Sequence, residues 1–368
     1  MNLTPFYTGV QQRLGFVDAI IILTSPDSFT SRENLANRLY KLVEPKQDLW
    51  LKQCRSTTGA ITIRTANDMV DFATNLPLEL LFPSTFSWRP EARILENLIS
   101  DQEYDAFKTS VSYNPLELSL PERLFYLYKF LVNDGIAFVH IMSGLRSSEK
   151  WTRTEAAVLL QESYEIYGKK LKSLVQSSSD YTKAQEILTL AERMKHGREG
   201  IVGTKELRVT PRLEALVDLN IIDKPDEKRD SYVYCRTARS DRFAQEFNDV
   251  DEEQASIESD FFERCAHIYG IGVRPIDDAN VFRALIENSQ YVSAAYGLVG
   301  INEVCLLAAI RALTAEPAGI VELPGAREIL IENQKKHQND IKLHVDTKGR
   351  IRYFSVSKDF LTKSLSQY

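Results

Sequence analysis

Residues 208–242, RVTPRLEALVDLNIIDKPDEKRDSYVYCRTARSDR, constrain the fold more than any other stretch of this 368-residue chain. Thr210 is placed to cap a helix whose first turn holds Pro211, where the missing N–H of proline costs nothing. Leu213, Leu216, Val217 and Ile221 follow at helical spacing. Asn220 suits the left-handed position that ends a helix. A polar turn follows Ile221-Ile222-Asp223, and Tyr232-Val233-Tyr234 reads as a return strand. The expected order is helix, short β-ribbon, helix.

Thr210, Arg212, Leu213, Leu216 and the pair Ile221-Ile222, followed by that ribbon, resemble the recognition helix and wing of a winged helix-turn-helix domain. The resemblance implies double-stranded DNA as partner, with the start of the helix at base edges and the flanking basic residues on phosphates. The residues it assigns to nucleic acid are Arg193, Lys195 and Arg198 upstream and Lys205, Arg208, Thr210 and Arg212 at the helix entry. Lys224, Lys228 and Arg229 follow in the wing, and Arg236 and Arg239 after the return strand. The opposing reading is a solvated surface, because Glu199, Glu206, Glu214, Asp218, Asp226, Glu227 and Asp230 interleave with these cations. Winged helices also dock proteins, so the module does not fix its partner.

The same elements occur earlier in the chain. Apolar helices are expected from Arg13 to Leu23 and from Arg123 to Val132. Thr30-Ser31-Arg32-Glu33 and Thr152-Arg153-Thr154-Glu155 both read as capping boxes, in which hydroxyl and carboxylate satisfy free N–H groups reciprocally. Arg64-Thr65-Ala66 matches Arg236-Thr237-Ala238, with Thr65 or Thr237 placed to cap the next helix. The second copy carries a helical insertion over 161–205. In the first copy, a helix over 47–55 offers Lys46, Lys52 and Arg55, with Arg64 beyond it and Trp50 as a core residue.

The expected fold is therefore mainly α with small β-ribbons, an α+β chain. It divides into a winged-helix-like domain (1–76), a helical connector (77–120), a second winged-helix domain (121–247) and a C-terminal helical domain (261–368). The acidic stretch 247–260 marks the last boundary. Helices are expected over 261–269, 279–288, 293–313 and 325–336. The chain then ends in a hairpin about Asp346-Thr347-Lys348-Gly349. Lys342, His344, Lys348, Arg350 and Arg352 on its exposed face suit phosphate binding or protection of a sheet edge.

Composition narrows the classes. Hydrophobic residues are 43% and charged residues 26%, as in water-soluble folded chains. No run approaches the ~18 apolar residues of a membrane span, and no basic-then-apolar leader opens the chain. Four cysteines without paired spacing read as reduced core thiols of a cytoplasmic protein. Net charge is −6, so any DNA contact must come from a local basic face. No phosphate-binding glycine loop, HExxH motif, cysteine–histidine ligand set or GxSxG elbow is found. Pro225-Asp226-Glu227-Lys228 cannot supply the converging carboxylates of a nuclease from one turn. The sequence thus points to no enzyme, no cofactor and no metal. It favours a DNA-binding protein, a regulator or the DNA-engaging subunit of a larger assembly. The alternative is a scaffold that docks protein partners or a second copy of itself.

Overall fold

The computed structural model describes residues 13–46, 61–108, 114, 116–174, 178–195, 204–224, 233–248, 254–293 and 297–366. These residues are mainly helical, 67% in 15 helices, with one antiparallel sheet of two strands and one of three, so the α+β expectation holds.

The first segment folds as α1 (Gly15–Leu23), α2 (Arg32–Val43) and α3 (Ile63–Thr74). The helix expected over 47–55 lies outside the described residues. Ser31 rather than Thr30 caps α2, accepting from the Asn34 N–H, so the expected Thr30–Glu33 box does not close. Thr62 rather than Thr65 caps α3, and Thr65 sits buried in its first turn. That earlier start places Ala66, Met69, Val70 and Ala73 on one buried face. Lys46 does not face solvent freely; its ammonium donates to the carbonyls of Ala106 and Phe107.

The helical connector forms α4 (Pro90–Glu96) and α5 (Asp101–Lys108). Leu78, Leu80, Leu81 and Phe86 are buried, whereas Phe82 is exposed, with the Arg89 guanidinium 5.3 Å from its ring centre.

The central element is α6 (Leu120–Leu145). Ser119 and Glu122 close its N-terminus as a capping box, and Pro121 occupies the first turn. It is 26 residues long, more than twice the expected span, because the apolar pattern resumes after a kink at Asp134 (φ −143°, ψ 18°). By length and composition it could cross a bilayer, yet it is mostly buried within the protein. Phe130 stacks on Phe72 of α3 and on Tyr126 and Phe138 of α6 itself, at centroid distances of 6.4, 6.4 and 5.2 Å.

Beyond α6 comes β1 (Lys150–Thr152), a strand too short to register in the sequence pattern. Thr152 ends it and caps α7 (Arg153–Ser173), with Glu155 completing the expected box. The insertion runs on from α7 into α8 (Ser178–Lys195), which packs along it. Next come α9 (Thr204–Asp218) and β2 (Val233–Cys235), which pairs antiparallel with β1 through Trp151 and Tyr234. A bridge between Asp223 and Cys235 closes the ribbon; its turn, with Lys228 and Arg229, lies outside the described residues. Thr237 caps α10 (Ala238–Glu246) as expected.

The C-terminal part holds α11 (Gln254–Tyr269), α12 (Asp278–Val292), α13 (Ile301–Thr314) and α14 (Leu323–Lys336). The helix expected from 293 starts at 301 because β3 (Val299–Gly300) joins the hairpin formed by β4 (Ile341–Val345) and β5 (Ile351–Val356). The sheet order is β3-β5-β4. Asp346 accepts from the Lys348 and Arg350 N–H groups, and Gly349 takes φ +74° in the turn. Arg350 and Arg352 both pair with Asp346, which neutralises part of the expected basic face. The hairpin does not end the fold; α15 (Lys358–Ser366) follows it.

Buried side chains from Leu14 to Phe354 form one contiguous apolar cluster. α4 touches α1, α12 and α13, and α6 touches α7, α10, α11 and α13. The segments expected as separate domains thus share a core.

A kink in α11 at Asp260 leaves the N–H groups of Phe262 and Glu263 to be taken up by Glu322, at 3.2 and 2.8 Å. Burial lifts the Glu322 carboxyl to about 7, against those two N–H groups, with Asp260 and Glu263 adding to the rise. The folded chain then binds a proton between about pH 4.5 and 7 that the unfolded chain has released. Its contribution is most favourable below that window and is lost as pH rises through 7. Wild type is expected to lose about 2–3 kcal/mol relative to Glu322→Gln between pH 5 and 8. Urea melts of both proteins across that range check this; parallel pH profiles would refute it.

Candidate nucleic-acid interface

Every side chain from Val209 to Leu219 except Val217 is buried. Three of these buried residues are charged and face partners distant in sequence. Arg212 Nε donates to Asp134 Oδ2 at 2.7 Å and Nη2 to Oδ1 at 3.1 Å, a bidentate pair at the kink of α6. Its remaining N–H groups reach Tyr164 Oη at 3.2 Å and the Arg208 carbonyl at 2.8 Å. Burial alone lowers the affinity of this guanidinium for its proton, but Asp134 and Tyr164 more than offset that and hold it above its usual value. Glu214 accepts from Lys224 Nζ at 2.7 Å and Tyr234 Oη at 2.8 Å. Asp218 pairs with Arg13 and accepts the Leu14 N–H at 2.7 Å. So α9 ties α6, the ribbon and the entry to α1 together.

This corrects the expected site. Arg212 and Lys224 are interior ion-pair partners, not surface cations. Thr210 is buried within a helix that begins at Thr204, so it is not a cap, and Pro211 lies inside the helix. A Thr-Pro pair signals a helix start when nothing helical precedes it; here the helix already runs from Thr204. The end of α9 does match expectation. Asn220 has φ +57°, with Asn220 N–H on Val217 O and Ile221 N–H on Leu216 O.

The remaining cations fall into two groups. At the N-terminal end of α9, Arg193 and Arg208 line one open cleft of about 460 Å³ with Tyr181, Gln185, Glu186 and Thr189. Arg208 is partly buried and its Nε has no hydrogen-bond partner. Burial pulls this guanidinium below its usual value, and the Arg212 and Arg193 charges add to the effect against an opposing contribution from Tyr164. Neither Arg193 nor Arg208 has a carboxylate partner among the described residues; Glu186 is the acid of the cleft. Two arginines so placed favour an anion between them. Lys195 is exposed one half-turn beyond Arg193.

At the other end, Arg236 pairs with Asp241 and donates to the Arg146 carbonyl at 2.9 Å. Arg239 donates to the Asn220 carbonyl and sits 6.0 Å from the Tyr269 ring centre. From Arg208 to Asn220 the helix rises about 18 Å, so the predicted residues do not form one strip. Arg198 lies outside the described residues, as does the side chain of Lys205.

Sequence reasoning missed a second cluster altogether. Asp18 on α1, Glu103 on α5 and Glu122 on α6 bring their carboxyls together in the interior. They lie 85 and 19 residues apart in sequence, so no local motif announces them.

No protein-family model, no curated protein and no solved structure matches this chain.

Proposed function

We propose that the protein binds nucleic acid by holding backbone phosphate in the cleft between α8 and α9, not by inserting α9 into a groove. The observation that carries this reading is the convergence of Arg193 and Arg208 without a paired carboxylate. Phosphate suits a fork of guanidinium donors, and Tyr181 lines the same cleft. The order α6, β1, α7, α9 and ribbon agrees with a winged-helix arrangement in which α8 is the insertion. In that arrangement the protein positions a duplex as a regulator or as the DNA-engaging part of a larger assembly. Base readout by Arg212 has no place in it.

The test is fluorescence anisotropy with a labelled duplex at about 50 and 200 mM salt, where phosphate contacts change affinity strongly. Arg193→Gln with Arg208→Gln is expected to weaken binding and to reduce the salt slope by about 1.8, since each phosphate contact contributes about 0.9. A folded double variant with unchanged affinity and slope would sink the assignment.

A second reading, a scaffold that docks proteins, draws on the burial of α9 and on Val158 and Ile166, apolar residues of α7 that are 40% and 50% exposed. Absence of duplex binding at either salt favours it.

A further inference from the structure

We propose that Asp18, Glu103 and Glu122 form a buried site for one hard divalent cation that fastens α1, α5 and α6 together. One oxygen from each residue lies within 4.8 Å of the others. That span accommodates three ligands around an ion with bonds of about 2.0–2.6 Å. The side chains are 0, 1 and 0% exposed.

Few donors serve them. Tyr126 Oη donates to Asp18 Oδ1 at 2.7 Å, and the Ser119 N–H donates to Glu122 Oε2 at 2.6 Å. Asp18 Oδ2, Glu122 Oε1 and both oxygens of Glu103 have no hydrogen-bond partner. Besides the two other carboxyls, only the Ser100 backbone bears on the Glu103 oxygens among the described residues, and none of these closes a well-formed hydrogen bond. Buried carboxylates in native proteins are paired or coordinate metals.

Among the described residues no lysine or arginine forms an ion pair with Asp18, Glu103 or Glu122. Arg13 is committed to Asp218. The first turns of α5 and α6 contribute roughly half an elementary charge each, too little for three carboxylates. A dication supplies the missing charge and occupies the free oxygens at once. The donor set holds oxygen only, without histidine or cysteine, which suits Ca²⁺, Mg²⁺ or Mn²⁺ rather than Zn²⁺. The competing state has the carboxyls protonated: burial first, then the neighbouring acids, lifts Glu103 to about 12 and raises Asp18.

Elemental analysis of the full chain, purified without chelator, separates the two states independently of any nucleic-acid binding. A near-stoichiometric content of one of these cations is expected. Protein unfolded and refolded in EDTA should melt about 3–6 °C lower than protein refolded with 1 mM of that cation. Glu103→Gln, close in volume, should bring the metal content to background and abolish the melting response. The proposal is overturned by background metal in wild type together with identical melting in EDTA and in each cation. Wild-type metal content in Glu103→Gln also overturns it. If that variant does not fold, the wild-type measurements decide alone.

Discussion

Arg212→Ala is expected to destabilise the fold by about 3–5 kcal/mol, because it strips the cation from a carboxylate that stays buried. Asp134 lies at the kink of α6, and Arg212 meets it through two parallel hydrogen bonds. The loss measures the cost of stranding Asp134 more than the worth of the pair. Replacing both partners, Arg212→Met with Asp134→Leu, should recover most of it, as apolar substitutes for a buried pair commonly do. Urea denaturation of the two variants provides the check. A loss below about 0.5 kcal/mol for Arg212→Ala, the usual effect of a surface substitution, would mean that the side chain faces solvent.

Phe130→Ala should cost a similar amount, about 3–5 kcal/mol, through lost burial and the cavity left behind. The ring joins Phe72 on α3 to Tyr126 and Phe138 on α6. Because the two segments share this stack, the variant should still melt in one transition. Separate transitions, with only the first segment weakened, would restore the boundary near residue 76 that the sequence suggests. Calorimetry distinguishes these outcomes.

Features set by a few adjacent residues were legible before the structure. Thr152 with Glu155 caps α7, Asn220 ends α9 in the left-handed region, and Gly349 turns the hairpin. Each depends on local backbone chemistry that the sequence writes in order. The charges of α9 were not legible for the opposite reason. Arg212 read as a DNA contact and Glu214 and Asp218 as solvated acids, yet two of their partners are 78 and 205 residues away. Nothing periodic links Arg13 to Asp218. Of the site, the sequence did pick out Arg193 and Arg208, and the fold places both in one cleft. Arg236 and Arg239 were chosen by the same rule, and the fold engages them with Asp241 and with backbone carbonyls.

The burial of α6 sets an order of events when the chain is made. α1 and α3, which pack on it, are made first, but its 26 residues leave the ribosome long before α7, α10, α11 and α13 can cover the rest, and α13 ends only at Thr314. At roughly 5–20 residues per second, ~170 further residues keep that apolar surface bare for about 10–35 s. A helix apolar enough to enter a bilayer then stands where chaperones and membranes compete for it. Fragments ending before α13 inherit that exposure permanently, so truncation from the C-terminus should produce insoluble protein well before it removes the α8–α9 cleft.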